Sequence, residues 1–212
     1  MLSLEERAWQ FAMQAHGSID QKRKYTGLPY ITHPGEVVQI LRAVPGTTHE
    51  MLAAAWVHDT EEDVPWVTFE MIEQALGVEV ATLVREVTKV STPADGNRAA
   101  RKALDRAHYA RASAQGQTIK LADIISNITA LPDLDRDFAR VYLAEAAQLL
   151  DVLILGDHRL MARAKATLLR GMTLLSMEPV VHSIERAICL EDFFPKPRNL
   201  VALAAFRESD SK

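Results

Sequence analysis

The chain has little of several residue types and patterns that define whole classes of protein. It contains a single cysteine, Cys189, which excludes a disulfide framework and a cysteine-based zinc site. No uncharged apolar run approaches the ~20 residues that a membrane-spanning helix needs. The first residues are acidic at Glu5 and Glu6 and do not resemble a secretory signal. We therefore expect a cytoplasmic protein with no membrane partner.

The chain also lacks an excess of positive charge. It carries 24 Lys and Arg residues against 28 Asp and Glu residues, which gives a net charge of −4. Domains that grip a nucleic-acid backbone usually carry a basic excess, so we expect no nucleic-acid partner. The length of 212 residues and the 48% hydrophobic content are typical of one globular domain, or of one domain with an appendage.

Hydrophobic residues recur at helical spacing nearly everywhere, and no segment shows the alternation of a convincing strand. Residues 17–32 are polar and contain glycine and proline, which predicts a loop. Pro34 suits the first turn of the next helix, so His33 is predicted at the N-cap, just outside that helix. The run 51–57 is apolar on all sides, which indicates a central helix. The predicted fold class is all-α.

The pattern divides the chain into a main helical bundle and a shorter extension. Late in the bundle it predicts one helix over 118–131, stopped by Pro132, and another from about residue 136 to residue 155. We place the main domain at residues 1–157 and a helical C-terminal extension at residues 158–212. The extension either packs on the core or forms the interface of a homo-oligomer.

Charged residues interrupt the apolar helices at two places. His58 and Asp59 end the most apolar helix, where the negative end of the helix dipole disfavours a carboxylate. Asp123 lies on a helix built mainly from Ile, Leu and Ala, with Lys120 three residues before it and Asn127 four residues after it. A buried carboxylate is costly unless a positive group pairs with it, and a metal ion is the simplest candidate.

His33 adds a second imidazole to these groups. Two histidines and two aspartates form a ligand set that suits Mn²⁺, Fe²⁺ or Zn²⁺ and leaves positions for water and substrate. Taken singly, each group has an ordinary interpretation, because a histidine at a helix start is usually structural and an acidic run such as 61–63 is usually solvated. Their occurrence together favours the metal site.

The order His33-Pro34, His58-Asp59 and Asp123 resembles the H…HD…D signature of the HD-domain metal-dependent phosphohydrolases. Four stretches make the chain similar to the ppGpp hydrolase domains of RelA/SpoT proteins and to small stand-alone alarmone hydrolases. These stretches are RKYTGLPYITHP at 23–34, HDTEED at 58–63, GVEV…LV…VTK at 77–89 and KLAD…N at 120–127. The resemblance covers roughly residues 5–155 and implies an HD-domain helical bundle.

The resemblance also implies roles for individual residues. Four residues would bind one divalent metal ion, typically Mn²⁺: His33, His58, Asp59 and Asp123. Glu62 and Asp63 would position or deprotonate the attacking water. Five residues would contact a small-molecule nucleotide substrate: Arg23, Lys24, Lys120, Asn127 and Tyr142. Lys120 could equally be a partner of a ligand carboxylate.

The implied activity is metal-dependent hydrolysis that removes the 3′-pyrophosphate from a guanosine or adenosine 3′,5′-polyphosphate such as ppGpp. Ile124 and Ser126 stand where the family has Arg and His, and these departures leave another nucleotide open as the substrate. A second alternative is a catalytically silent module that binds or senses a nucleotide. The complete metal set and the acidic pair Glu62-Asp63 argue against it. A helical adaptor without a site would need several buried carboxylates without partners.

Overall fold

The computed structural model describes residues 2–177, except the side chains at positions 130 and 132. Within this part of the chain there are ten α-helices and no extended strand, which confirms the all-α prediction. The helices are α1 (Leu4–Ser18), α2 (Thr32–Arg42), α3 (His49–Val57), α4 (Thr60–Asp63), α5 (Phe69–Leu76), α6 (Val78–Val87), α7 (Arg98–Tyr109), α8 (Ala114–Leu134), α9 (Arg136–Leu150) and α10 (His158–Leu174). None of these helices is both long and apolar enough to cross a bilayer.

Helices α3 and α8 form the centre of the bundle. Helix α3 packs against α1, α2, α6 and α8, while α8 packs also against α2, α6, α9 and α10. The side chains of α8 at positions 121, 124, 125 and 128 are at most 2% exposed. Burying a large aliphatic side chain contributes roughly 1.5–3 kcal/mol, so these helices are anchored strongly. Polar side chains carried by α3 and α8 are therefore held in the interior.

Side-chain caps define where several helices begin. Ser3 and Glu6 form a reciprocal capping box at the start of α1, in which Ser3 N donates to Glu6 Oε2 over 2.8 Å. Thr48 caps α3 in a similar way, because its Oγ1 accepts from Met51 N. This cap sets the start of the helix that ends at the His58-Asp59 pair.

Helix α2 begins earlier than the sequence indicates. Its first residue is Thr32, so the prediction that His33 lies at the N-cap is wrong, and His33 is inside the first turn. The cause is the preceding turn, in which Thr32 N donates to Pro29 O and His33 N donates to Tyr30 O. Pro34 remains compatible with this start, because amides of the first turn have no partner within the helix.

Two later helix boundaries also differ from their predictions. Helix α8 extends four residues before and three residues beyond the predicted span 118–131. Helix α9 ends at Leu150 rather than at Leu155. Leu155 instead donates its backbone N–H to Gln117 Oε1 over 2.7 Å, which directs the chain away from the axis of α9.

The first part of the predicted extension is helical. Helix α10 packs against α8 and α9, and its residues Leu160, Ala164 and Leu168 are buried. Residues 178–212 lie outside the described part of the chain. A division of the chain at residue 157 and a role of the extension in a homo-oligomer stay predictions.

Gln117 connects three segments and is the basis of our first prediction. Its Nε2 lies 3.3–3.4 Å from the carbonyl oxygens of three residues at the end of α7 and just beyond it, and its Oε1 accepts from Leu155 N. Replacing Gln117 with Leu removes these contacts and leaves the Leu155 N–H without its acceptor. We expect the free energy of unfolding, measured by urea denaturation, to fall by about 2–3 kcal/mol. Gln115→Leu, at an exposed position of α8, should change it by less than about 0.5 kcal/mol.

Candidate metal centre and active site

Three helices bring two imidazoles and two carboxylates together. His33 lies in the first turn of α2, His58 and Asp59 follow the end of α3, and Asp123 lies in the middle of α8. His33 Nε2 is 3.2 Å from Asp123 Oδ1 and 3.6 Å from Asp59 Oδ2. His58 Nε2 is 3.1 Å from Asp59 Oδ2 and 3.8 Å from Asp123 Oδ1. We call these four residues the metal cluster.

The spacing of the donor atoms suits one divalent cation. Bonds of about 2.0–2.2 Å to a single ion place neighbouring ligand atoms about 3–3.5 Å apart. His33, His58 and Asp59 can each bring one ligand atom within 4.8 Å of the other two. Asp123 joins this group through its contacts with the two Nε2 atoms.

The imidazole of His58 is oriented for a ligand. Its Nδ1 lies 2.8 Å from Ala55 O, and since a carbonyl oxygen can only accept, Nδ1 carries the hydrogen. In the neutral ring Nε2 then presents a lone pair to the carboxylates. This Nε2 is buried and makes no hydrogen bond, although it lies close to Asp59. A coordinated cation would satisfy this orphaned atom, so the residues present fit a divalent metal ion.

The charges of the cluster require a positive group. Burial by itself would raise the pKa of Asp59, but His58 and His33 hold that pKa below its usual value. Burial also opposes the charged form of His58, yet Asp59 and Asp123 hold its pKa well above the ordinary range. A protonated imidazole can supply the charge that the carboxylates need. A divalent cation supplies it as well and uses the Nε2 lone pairs.

Polar neighbours orient both carboxylates. Tyr30 Oη donates to Asp59 Oδ2 over 2.6 Å. Lys120 Nζ lies 3.0 Å from Asp123 Oδ2, and Asn127 Nδ2 donates to Asp123 Oδ1 over 2.6 Å. Each aspartate therefore has a fixed rotamer before any ion binds.

Lys120 is held on several sides. Its Nζ donates to Val87 O over 3.3 Å and lies 4.7 Å from the centre of the Tyr109 ring, in addition to its contact with Asp123. Burial would lower the pKa of Lys120, but Tyr109 and the nearby carboxylates keep it well above its usual value. Lys120 is thus a permanent cation beside the metal cluster.

The two acidic residues after the HD pair have different surroundings. Glu62 Oε1 accepts from Lys89 N, and Glu62 Oε2 lies 2.7 Å from Lys89 Nζ, so both of its oxygens are engaged. Asp63 accepts from Gln21 Nε2 through Oδ2 over 2.9 Å. Burial and the nearby Asp59 raise the pKa of Asp63. Asp63 is thus a stronger base than an ordinary aspartate.

Arg23 and Lys24 line an open cleft of about 750 Å³. Arg23 Nη1 lies 3.0 Å from Glu36 Oε2, and Lys24 Nζ lies over the rings of Tyr25 and Phe138. Ser126 lines the same cleft and contacts His33 Nδ1 over 3.1 Å. The cleft is therefore adjacent to the metal cluster at His33.

Tyr142 lies at a different cavity, of about 80 Å³, that includes Asp123 of the metal cluster. Its lining contains three basic residues, and these are Lys102, Arg106 and Lys120. Burial raises the pKa of Tyr142, so its hydroxyl remains protonated. The structure thus brings Lys120, Asn127 and Tyr142 near Asp123, whereas Arg23 and Lys24 lie at the larger cleft.

Sequence reasoning missed five residues that contact the site. Tyr30 contacts Asp59, and Gln21 contacts Asp63. Both lie in the stretch before His33, and the unusual density of motif residues there is the signal that could have found them. The others are His16, Glu36 and Ser126. His16 is buried and places Nδ1 2.6 Å from Gln21 Oε1, although nothing in its helical pattern distinguishes it from a core residue.

Comparison with known proteins identifies the family. A family model described as HD domain matches residues 8–150, which is more than half of the chain. The chain belongs to the HD-domain family. This confirms the resemblance noted from its motifs.

Two HD-domain relatives carry informative names. A protein of Danio rerio named guanosine-3′,5′-bis(diphosphate) 3′-pyrophosphohydrolase MESH1 is 35% identical over 140 residues, which cover 65% of this chain and 73% of that protein. An Aquifex aeolicus protein named guanosine-3′,5′-bis(diphosphate) 3′-pyrophosphohydrolase is 47% identical over 85 residues, or 40% of this chain. The match spans only 12% of the Aquifex protein.

A solved HD-domain structure shares the fold. It is described as a metazoan ortholog of SpoT that hydrolyses ppGpp and plays a role in starvation responses. The two structures superpose with a TM-score of 0.70 at 27% identity, over 80% of this chain and 96% of the other. The HD-domain bundle predicted from the motifs is therefore confirmed.

The geometry of the metal cluster generates our second prediction. Adding Mn²⁺ to metal-free protein at about 100 times its Kd should raise the free energy of unfolding by roughly 2.7 kcal/mol, seen as a higher Tm. His58→Ala should lose this gain, because one ligand is missing. His49→Ala removes an exposed histidine from the start of the same helix and should keep it. An equal gain in His58→Ala and the parent protein would contradict the site.

Proposed function

We propose that this protein is a metal-dependent nucleotide hydrolase that removes the 3′-pyrophosphate from a guanosine 3′,5′-polyphosphate such as ppGpp, with Mn²⁺ as its ion. The metal cluster would consist of His33, His58, Asp59 and Asp123. The names of the relatives support the reaction and the guanine base. The geometry of the cluster supports a divalent ion.

One observation carries the proposal. The chain has a net charge of −4, yet the larger cleft beside the metal cluster is lined by three basic residues and one acidic residue. The basic residues of this cleft are Arg23, Lys24 and Arg163, and its acidic residue is Glu36, whereas the basic and acidic residues that line the smaller cavity are equal in number. Such a distribution suits a small substrate with several phosphates.

The chemistry combines the ion with fixed groups of the chain. A divalent ion, when bound, activates water for attack and neutralises charge on the phosphoryl oxygens. Arg23 and Lys24 would bind the nucleotide in the larger cleft and hold it in orientation. Tyr142 would pack near the nucleotide from the smaller cavity.

Asp63 is our candidate for the group that accepts the proton of the attacking water. Within the described residues no hydrogen bond reaches its Oδ1, while Gln21 holds Oδ2 and so directs the carboxylate. Its raised pKa makes it a better acceptor than an ordinary aspartate. Glu62 would act with it by holding Lys89 beside the site.

Lys120 and Asn127 would act mainly through Asp123. The contacts of Lys120 with Asp123 Oδ2 and Val87 O support the role of a carboxylate partner over direct substrate binding. Asn127 holds Asp123 Oδ1 in the same manner, and its contact with the sugar stays a prediction. Both residues therefore belong to the proposed machinery by positioning a ligand.

A substrate screen is the direct test of the proposed function. The purified full chain with Mn²⁺ is incubated with ppGpp, its adenosine counterpart and ordinary nucleotides such as GTP and GMP. We expect pyrophosphate, not orthophosphate, to be released from ppGpp, and His58→Ala to release none. Faster release from the adenosine compound would favour the adenine alternative. Binding of Mn²⁺ and nucleotide without any release would favour the silent sensing module.

The acidic pair gives a third experiment, on turnover. Asp63→Asn keeps the hydrogen bond from Gln21 within reach but removes the base, so kcat should fall by about 10²–10⁴-fold while the affinity for Mn²⁺ is retained. Glu62→Gln should lower kcat less. Glu61→Gln, at the neighbouring carboxylate, should leave kcat within about twofold. A parallel loss of Mn²⁺ affinity in Asp63→Asn would contradict the assignment and make Asp63 a ligand.

A further inference from the structure

Ser126 joins two groups that the proposed mechanism does not connect. Its Oγ donates to Glu36 Oε2 over 2.7 Å and lies 3.1 Å from His33 Nδ1. Ser126 is 5% exposed, so its hydroxyl is shielded from solvent. Glu36 Oε2 also receives Arg23 Nη1 over 3.0 Å. A continuous chain of hydrogen bonds thus runs from the larger cleft to the metal cluster.

The number of protons along this chain decides the tautomer of His33. Glu36 is in an ion pair with Arg23, and its carboxylate oxygens can only accept. Ser126 has a single hydroxyl proton, and it is donated to Glu36. The contact between Ser126 and His33 therefore needs its hydrogen from Nδ1 of the imidazole. With a divalent ion bound, the ring is neutral and this leaves the lone pair on Nε2, the atom that faces Asp59 and Asp123.

We propose that Glu36 and Ser126 are positioning residues that hold His33 in the tautomer whose Nε2 is free to bind a metal ion. Through the same hydrogen bonds they connect Arg23, in the larger cleft, to the metal cluster. Glu36 has this role although it touches no ligand atom and its side chain is 52% exposed. His58 has a backbone carbonyl for the same purpose, whereas His33 depends on two side chains from α2 and α8. The proposal rests on the metal site of the proposed function but not on its substrate.

Metal affinity without substrate is the first test. Ser126→Ala leaves His33 Nδ1–H buried without an acceptor, and Glu36→Ala frees the serine proton to be donated towards His33. Either change should weaken Mn²⁺ binding, measured by calorimetry on the full chain, by about 10–100-fold. Glu36→Gln retains an acceptor oxygen and should restore most of the affinity lost in Glu36→Ala.

Matched controls separate this effect from the loss of any hydroxyl or surface ion pair. Thr82→Ala removes an exposed hydroxyl that bonds only to its own helix. Glu70→Ala removes the partner of Arg85 in an exposed ion pair. Both controls should bind Mn²⁺ as the parent chain does. If Glu36→Ala binds Mn²⁺ as tightly as the parent chain does, the proposal is overturned, because Glu36 is then only a member of a surface ion pair.

The tautomer is the second readout, and a purely structural role would not change it. With Zn²⁺ as a diamagnetic ion and ¹⁵N-labelled histidine, NMR distinguishes a ring protonated at Nδ1 from one protonated at Nε2. His33 of the parent chain should carry its proton on Nδ1, as His58 does. In metal-free Glu36→Ala, compared with the metal-free parent chain at the same neutral or higher pH, the Nε2-protonated form of His33 should increase while His58 stays unchanged. An unchanged His33 would overturn the proposal.

These outcomes are distinguishable from a failure of the proposed function. If the chain hydrolyses no nucleotide but both variants lose Mn²⁺ affinity, the positioning role of Glu36 and Ser126 stands and the substrate assignment fails. If ppGpp is hydrolysed and Glu36→Ala binds Mn²⁺ as the parent chain does, the proposed function stands and the positioning role of Glu36 and Ser126 fails. The contact between Arg23 and Glu36 gives a further readout. Because Glu36→Ala also removes this contact, it should raise the KM for ppGpp by more than Ser126→Ala does.

Discussion

Asp59 and Asp123 keep negative charge inside a helical bundle, and the rest of the site depends on how that charge is compensated. One lies beyond the carboxyl end of α3 and the other in the middle of α8, and their side chains are only 18% and 9% exposed. Lys120 compensates part of the charge from one side. Two imidazoles face the remainder, and their Nε2 atoms are arranged as a divalent ion requires.

Rigidity is the second property of the site. Three of the four ligands are held by such a partner: Tyr30 holds Asp59 from another segment, while Asn127 holds Asp123 and Ala55 holds His58 from within one helical turn. These partners fix the ligand atoms before an ion or a substrate arrives. Electrostatic catalysis benefits from such preorganisation, because no dipole has to be reoriented during the reaction. The apolar packing of α3 and α8 supports the arrangement.

The identity of the ligands and the partners of Asp123 on its own helix could be predicted from the sequence, while the supporting contacts between helices could not. His58, Asp59 and Asp123 are polar residues in apolar helices, and such a break in the pattern is visible in one dimension. Glu36 and Ser126 carry no such sign, because their hydrogen bond joins positions 90 residues apart. The same limitation explains the start of α2, which depends on a turn formed by backbone carbonyls that precede it.

The sequence by itself determined the fold class and the residue types of the candidate site, because helical periodicity, caps and costly buried charges are local properties. It therefore sufficed for an all-α bundle and for a cluster of two histidines and two aspartates. Only the tertiary structure decided which carboxylate oxygens are free, which imidazole nitrogen faces the ion and which cations line each cavity. Those properties depend on packing between α2, α3 and α8, where hydrogen-bond partners are chosen by proximity in space rather than along the chain.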